Sequence, residues 1–98
     1  MALEIKWSKK GSKSLYEITT YLEGYLTEKT LIKFIDNVFE CIDQILEFPE
    51  IGVIENKETK LRSYLINRNL RLFYRTTKLE VVIVAFIDTR TNPKKYPK

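Results

Sequence analysis

The side chains best suited to chemistry in this 98-residue chain are arginines and lysines, because the sequence contains no histidine. Histidine is the commonest general base and the commonest metal ligand in proteins. Guanidinium groups can instead bind a phosphate, or stabilise negative charge that develops on it. The basic candidates are Arg71, Arg75, Arg90, Lys94 and Lys95. The residue after them, Tyr96, offers a proton donor or a surface on which a base can stack.

Several other chemistries are not indicated by the sequence. Cys41 is the single cysteine and lies among apolar residues, so we expect a small core residue rather than a disulfide or a zinc ligand. The sequence has no tight acidic cluster of the kind that binds calcium. It also has no glycine-rich loop that could hold a nucleotide phosphate at a helix start. We therefore expect neither a metal nor a cofactor.

The composition predicts one globular domain over residues 1–98, with 44% hydrophobic residues available for a single core. The net charge of +4 favours an anionic partner, although a solvated basic surface would give the same charge. The longest wholly apolar run, Val81 to Ile87, is too short to span a bilayer. No basic and apolar leader opens the sequence, and the single cysteine suits a reducing compartment, so we expect a cytoplasmic protein with no membrane partner.

Hydrophobic periodicity predicts the N-terminal elements. Leu3, Ile5 and Trp7 alternate with charged residues and predict a strand. A helix should follow it, with its N-cap at Ser8, Ser12 or Ser14. A second, long helix should start with Thr27 as its N-cap and end before Pro49, and its wide apolar face should contact both a sheet and the first helix.

The C-terminal half predicts three strands. Residues 49–59 should form a loop, Leu61–Ile66 a strand of undetermined register, and the segment from Leu70 a hairpin that turns at Thr77 and Lys78. Pairing of Arg75 with Glu80 would join opposite charges across the hairpin. In that register one sheet face would carry Arg71, Phe73, Arg75, Phe86, Asp88 and Arg90.

The predicted order is β-α-α-β-β-β. This is an α+β fold in which a helical hairpin packs on one face of a four-stranded, mainly antiparallel sheet. The predicted core comprises Leu15, Ile18, Phe34, Val38, Ile42, Ile45, Leu72, Val81, Ile83 and Ala85.

Five short motifs occur along this chain in a particular order. Trp7 and Ser8 end the first strand, EFPEIG follows the long helix, and LINRNLRLFYR, VVIVAFIDTR and NPKKY complete the C-terminal half. In their order and spacing the chain resembles the RelE/ParE superfamily of bacterial toxins over essentially its whole length. The resemblance implies a small sheet with a helical hairpin against it. It also implies a toxin that is held inactive by an antitoxin protein encoded beside it.

The resemblance allows two activities. RelE-like members cut mRNA at the ribosome, without a metal, and use arginines, lysines and often a C-terminal tyrosine. On that branch the catalytic residues would be Arg71, Arg90 and Tyr96, and Arg62 would lie near the position of an upstream catalytic lysine. The residues expected to contact the target on either branch are Arg62, Arg71, Arg75, Arg90, Lys94 and Lys95.

ParE-like members inhibit DNA gyrase, and their last strand often ends in arginine followed by Asp-Pro. The segment from Arg90 to Pro93 approximates that ending, and the upstream lysine pair of the nucleases is not evident, so we favour gyrase as the target. The high pI and the spacing from Arg90 to Tyr96 suit RNA instead, so the ribosome with its mRNA stays the alternative.

Overall fold

A computed structural model describes residues 3–90, 94, 96 and 97 of the chain. In these residues, two helices and five strands follow one another in the order β-α-α-β-β-β-β. The helices are α1 (Lys9–Glu23) and α2 (Glu28–Glu47). The strands are β1 (Glu4–Trp7), β2 (Val53–Asn56), β3 (Leu61–Asn67), β4 (Leu70–Thr76) and β5 (Glu80–Asp88).

The strands form one sheet in the order β1-β5-β4-β3-β2, in which β1 is parallel to β5 and the other neighbours are antiparallel. Residues of both helices pack with β4 and β5 in one core, so the predicted α+β fold with its helical hairpin on one face is confirmed. The prediction of four strands is wrong, because β2 forms within the predicted loop. β2 is a short edge strand that is exposed along most of its length, so no apolar alternation marks it in the sequence.

The two helix starts are fixed by side-chain caps. Ser8, one of the three predicted candidates, is the N-cap of α1 and accepts a hydrogen bond from the Gly11 N–H at 2.8 Å. Thr27 caps α2 as predicted, and it accepts from the Thr30 N–H at 3.2 Å. Each cap satisfies one of the N–H groups that the first helical turn leaves without a partner.

The predicted register of the β4–β5 hairpin is wrong. Arg75 pairs with Val82 rather than with Glu80. Beyond the next pair the register shifts by one residue, so that Val84 is an extra residue in β5. Such a bulge reverses the side-chain alternation of the strand that carries it. The residues after Val84 therefore face the side opposite to the predicted one.

Helix α1 provides hydrogen bonds to the bulged part of β5. The Ser8 N–H donates to the Ile83 carbonyl at 3.1 Å, and the Ser8 hydroxyl donates to the Val84 carbonyl at 3.0 Å. The Ser14 hydroxyl accepts from the Phe86 N–H at 2.9 Å. Two serines near the start of α1 thus bond backbone groups on either side of the irregularity, where a bulge disrupts the regular ladder.

This arrangement needs a close approach between α1 and β5 at Gly11. A Cβ atom added to Gly11 would lie 2.5 Å from the Ile83 carbonyl oxygen, which is closer than real Cβ atoms come. Glycine therefore fills this helical position because the strand backbone occupies the space that a side chain would need.

Buried residues form a cluster on each face of the sheet. The helix-side cluster contains the predicted core residues Val38, Ile42, Ile45, Leu72, Val81 and Ile83, and the predicted Leu15, Ile18 and Phe34 pack against it while partly buried. Ala85 is buried as predicted, but it belongs to the cluster on the other face, with Leu61, Phe73 and Val84. In a regular strand Ile83 and Ala85 would point to the same face, but the extra residue Val84 between them places them on opposite faces. In the described part of the chain, neither helix is long and apolar enough to cross a bilayer.

Candidate target-binding surface

The sheet face turned away from the helices carries part of the predicted site. Leu70, Leu72 and Tyr74 of β4 point into the helix-side core. Side chains alternate along a strand, so Arg71, Phe73 and Arg75 point to the opposite side. We call this side the open face, and its central residues are Ser63, Arg71, Phe73, Arg75, Ala85 and Tyr96.

Tyr96 covers the middle of the open face. Its ring lies 4.8 Å from the ring of Phe73, measured between centroids, with the two planes tilted by 58°. Phe73 is fully buried while Tyr96 is half-buried, so Tyr96 is the outer member of the pair. The C-terminal tyrosine therefore lies on the same face as Arg71, as a shared site would require.

Arg71 is held on the open face by a chain of two hydrogen bonds. Its Nη1 donates to the Ser63 hydroxyl at 3.0 Å, and that hydroxyl donates to the Glu55 carboxylate at 3.0 Å. Ser63 is only 1% exposed, whereas Glu55 lies at the surface in the bulge of β2. The Arg71 Nε is buried and has no hydrogen-bond partner among the residues that the structure describes.

Two other basic candidates, Arg75 and Lys94, belong to the described residues. Arg75 is half-buried and lies two residues from Phe73 on the same side of β4. Lys94 is exposed and precedes Tyr96 by two residues. Lys95, also predicted to contact the target, lies outside the described residues.

Arg62 lies on the helix side of the sheet, where it holds the loop after α2. It pairs with Tyr74 across the β3–β4 ladder, and its Nη1 donates to the carbonyls of Glu50 at 3.1 Å and Gly52 at 2.7 Å. The Tyr74 hydroxyl accepts from the Gly52 N–H in the same loop at 2.9 Å, and burial raises the pKa of Tyr74. The Arg62 guanidinium is thus engaged with loop backbone on the side away from Arg71.

Arg90 also lies apart from Arg71, beside α1. Its Nε and Nη2 donate to the two oxygens of Asp88 at 3.0 and 2.6 Å, and its backbone N–H donates to the same carboxylate at 2.8 Å. These hydrogen bonds lower the pKa of Asp88 to about 2. Asp88 pairs with Leu70, whose side chain is in the helix-side core, and both Asp88 and Arg90 line a groove beside α1.

The structure therefore brings Arg71, Arg75 and Tyr96 together and separates them from Arg62 and Arg90. The prediction that Phe86, Asp88 and Arg90 share a face with Arg71 is wrong, and the bulge at Val84 is the cause. Phe86 instead stacks on Trp7 on the helix side, with ring centroids 5.9 Å apart.

Sequence reasoning missed two polar residues of the open face. The sequence predicts Ser63 within a strand of undetermined register and Glu55 within a loop. Neither carries a local signal, because their contact with Arg71 depends on how three strands align.

A groove lies between α1, the β3–β4 turn and the end of β5, and its volume is about 690 Å³. Apolar side chains make up its floor: Ile18, Leu22, Leu26, Phe34, Leu70 and Phe86. Charged side chains stand at its rim: Arg68, Arg90, Glu17 and Asp88. An apolar floor with a charged rim suits an amphipathic protein segment better than a small polar molecule.

These features define a small α+β domain with an arginine-bearing sheet face and an apolar groove beside its first helix. In the described part of the chain, no three histidine, cysteine or acidic side chains are grouped so that they could hold a metal ion.

Comparison with known protein families identifies the class of protein to which this chain belongs. Residues 5–93 match the family described as "ParE toxin of type II toxin-antitoxin system, parDE". This match covers most of the chain, so the chain belongs to the ParE toxin family of type II toxin–antitoxin systems. A search of curated protein sequences found no match.

Solved structures with similar folds include a chain of the chromosomal ParDE toxin–antitoxin system from P. aeruginosa. It superposes with a TM-score of 0.73 at 15% sequence identity, covering 89% of this chain and 96% of that chain, which supports the fold. The YoeB dimer from Staphylococcus aureus matches with a TM-score of 0.45 at 24% identity, covering 87% of this chain and 94% of that chain.

Proposed function

We propose that this toxin inhibits DNA gyrase by binding, without cleaving nucleic acid. The separation of Arg71 from Arg90 carries the proposal. Acid–base and charge-stabilising groups that cleave RNA must converge on one phosphate. Arg90 instead pairs with Asp88 beside α1, while Arg71 is on the open face. The match to the ParE toxin family supports the same target.

The proposed contact surface for gyrase is the open face and its margin. Arg71 and Arg75 provide positive charge there, and the exposed Lys94 follows the last strand. Such a surface can bind a protein–DNA complex through charge and shape, with no reacting group in a fixed position.

RelE-like cleavage of mRNA is the second candidate, because Arg71 and Tyr96 do share the open face. In that mechanism a ribose 2′-hydroxyl loses its proton and attacks the adjacent phosphorus, the bond to the 5′-oxygen breaks, and a 2′,3′-cyclic phosphate and a 5′-hydroxyl result. Arg71 would stabilise the phosphate charge, and Tyr96 or a lysine would donate the proton to the leaving 5′-oxygen.

Two assays run in parallel test these functions. We expect the purified protein to block gyrase supercoiling and to leave mRNA intact in a translating extract. Arg71→Ala should weaken gyrase inhibition, whereas Lys33→Ala, which removes an exposed lysine of α2 on the helix side, should act like wild type. Ribosome-dependent cuts that vanish in Arg71→Ala, together with normal supercoiling, would replace the gyrase proposal with the nuclease.

We further propose that a small antitoxin, encoded by a neighbouring gene, neutralises this toxin by docking an amphipathic segment in the groove beside α1. The segment's apolar side chains would pack on the groove floor, and its acidic residues would pair with Arg68 at the rim. This site does not overlap Arg71, so neutralisation would depend on the bulk of the bound antitoxin hindering the approach of the target.

Co-expression with the neighbouring small protein tests this docking site. Leu26→Glu places a charge on the apolar floor and should abolish co-purification, while Ile32→Glu, at a position that is 52% exposed on α2, should retain it. If Leu26→Glu folds with an unchanged circular dichroism spectrum and still co-purifies with the antitoxin, the groove is not the docking site.

A further inference from the structure

Glu55, Ser63 and Arg71 form a chain of hydrogen bonds with a fixed direction. An ionised carboxylate can only accept, so the single Ser63 hydroxyl proton points to Glu55. The oxygen of that hydroxyl is then left to accept from Arg71 Nη1. Ser63 is 1% exposed, so its hydroxyl is not accessible to bulk water. Glu55 therefore influences the orientation of Arg71 through the serine.

The charge of Arg71 is not directly neutralised. Among the described residues, no carboxylate oxygen lies within 4.0 Å of its guanidinium, whereas Asp88 contacts Arg90 at 2.6 Å. In addition, the buried Nε of Arg71 has no hydrogen-bond partner within the described part of the chain. An unpaired buried donor is unfavourable, so a rearrangement that brings an oxygen atom to this N–H is favoured. Arg71 thus combines an available charge with an unused donor.

We propose that Glu55, Ser63 and Arg71 form a phosphate-binding unit on the open face, in which Arg71 contacts a backbone phosphate of single-stranded nucleic acid. Ser63 and Glu55 are positioning residues, because they act through the guanidinium. A phosphate oxygen that reaches Nε displaces the side chains that cover it and gives the donor its missing partner. This inference rests on the proposed function in one respect: the proposed target, gyrase, is an enzyme that acts on DNA and could present such a phosphate.

Two neighbours favour nucleic acid over an isolated carboxylate as the ligand. Arg75 lies two residues along the same side of β4, about 7 Å from Arg71 at the usual rise of a strand, which suits successive phosphates of one strand. Tyr96 is the outer aromatic ring of the same face, next to Phe73, and offers a stacking surface for a base.

Nuclear magnetic resonance of the Arg71 Nε–Hε group tests the proposal directly. The signal is assigned by its loss in Arg71→Lys, and the ¹⁵N-labelled protein is titrated with a thymidine hexanucleotide, inorganic phosphate and acetate in separate samples. We expect a saturable shift with the oligonucleotide, a weaker one with phosphate and none with acetate.

The variants separate positioning from folding. Ser63→Ala should weaken oligonucleotide binding about tenfold, the loss expected for one hydrogen bond to a charged group. Ser63→Thr should restore binding, Glu55→Gln should give a smaller loss, and Lys33→Gln should give the smallest because it removes only a remote charge. The remaining amide spectrum of each variant reports whether the fold is retained.

Three results would overturn the inference: no shift of the Arg71 signal with the oligonucleotide, equal affinity in Ser63→Ala, or an equal response to acetate. The supercoiling assay keeps the two proposals apart. Inhibition of gyrase without a shift at Arg71 would refute only the phosphate-binding unit. A shift at Arg71 without inhibition would refute only gyrase as the target.

Discussion

Arg71 and Arg90 lie on the same hairpin but differ in what compensates their charge. Arg90 makes a bidentate pair with Asp88 at the surface, and its backbone N–H also bonds that carboxylate. Arg71 is held by a neutral serine hydroxyl. For this reason we propose that Arg71, rather than the partly neutralised Arg90, contacts the target.

The Asp88–Arg90 pair gives a prediction at the level of one ionisable group. Titration of the Asp88 carboxyl followed by nuclear magnetic resonance should give a pKa of about 2. In Arg90→Gln the pKa should rise toward the ordinary value of 3.8, though not fully, since the backbone hydrogen bond to Asp88 remains. An unchanged pKa in Arg90→Gln would mean that the side chains are not paired in solution.

The pH dependence of stability follows from the same shift. The folded chain binds the Asp88 proton more weakly than the unfolded chain does, so the pair stabilises the fold above the ordinary pKa of 3.8. That contribution is lost as the pH falls through about 2. It should be small and weakened by salt, because the side chains of Arg90 and Asp88 are 81% and 42% exposed.

At the level of elements, α1 and β5 depend on each other. The bulge of β5 leaves backbone groups that Ser8 and Ser14 bond, and Gly11 allows the two backbones to approach. The bulge in turn places Phe86 under the helices and Ala85 on the open face. The start of α1 therefore helps to fix which residues of β5 reach each face.

Ser8→Ala tests this coupling. The substitution removes the N-cap and the bond to the Val84 carbonyl, so we expect a loss of about 1–2 kcal/mol in the free energy of unfolding, measured by urea denaturation. Ser12→Ala is the matched control at the next serine of α1, where the side chain is exposed, and should change stability by less than about 0.5 kcal/mol. Equal losses in the two variants would argue against Ser8 as the cap.

At the scale of the whole molecule, the sheet is buried in its centre and open at its edges. Ile83 is fully buried between the sheet and the helices, while the edge strand β2 is exposed along most of its length. Stability should therefore depend on the buried clusters, whereas substitutions of the partly exposed Arg71 and Arg75 should affect binding more than folding.

Core truncations test that distribution. Ile42→Ala and Ile83→Ala should each lower the free energy of unfolding by about 2–5 kcal/mol, because each removes buried methyl groups and leaves a cavity. Ile32→Ala, at a position that is 52% exposed on α2, is the control and should cost less than about 1 kcal/mol. A core variant as stable as this control would show that the cluster is not closely packed.

The sequence determined the elements whose periodicity is local. The rows of apolar residues along α2, the N-cap at Thr27 and the alternation of β4 each depend on neighbours within one helix turn or one strand, so they are visible without tertiary contacts. The order and spacing of short motifs then identified the toxin superfamily, and the family comparison agrees. Strand β2 was not predicted, because an exposed edge strand has no buried face that would produce an apolar alternation in its sequence.

The register of β5, and with it the set of residues on the open face, depends on tertiary contacts. The run from Val81 to Ile87 is apolar throughout, so its sequence carries no alternation that could reveal the extra residue at Val84. The strand is buried on both faces, and either register would bury apolar side chains. The hydrogen bonds that Ser8 and Ser14 make with the backbone of β5 accommodate the bulge, and they join residues more than 70 positions apart in the chain. Because of the bulge, Arg90 lies beside α1, while Arg71 and Tyr96 share the opposite face of the sheet.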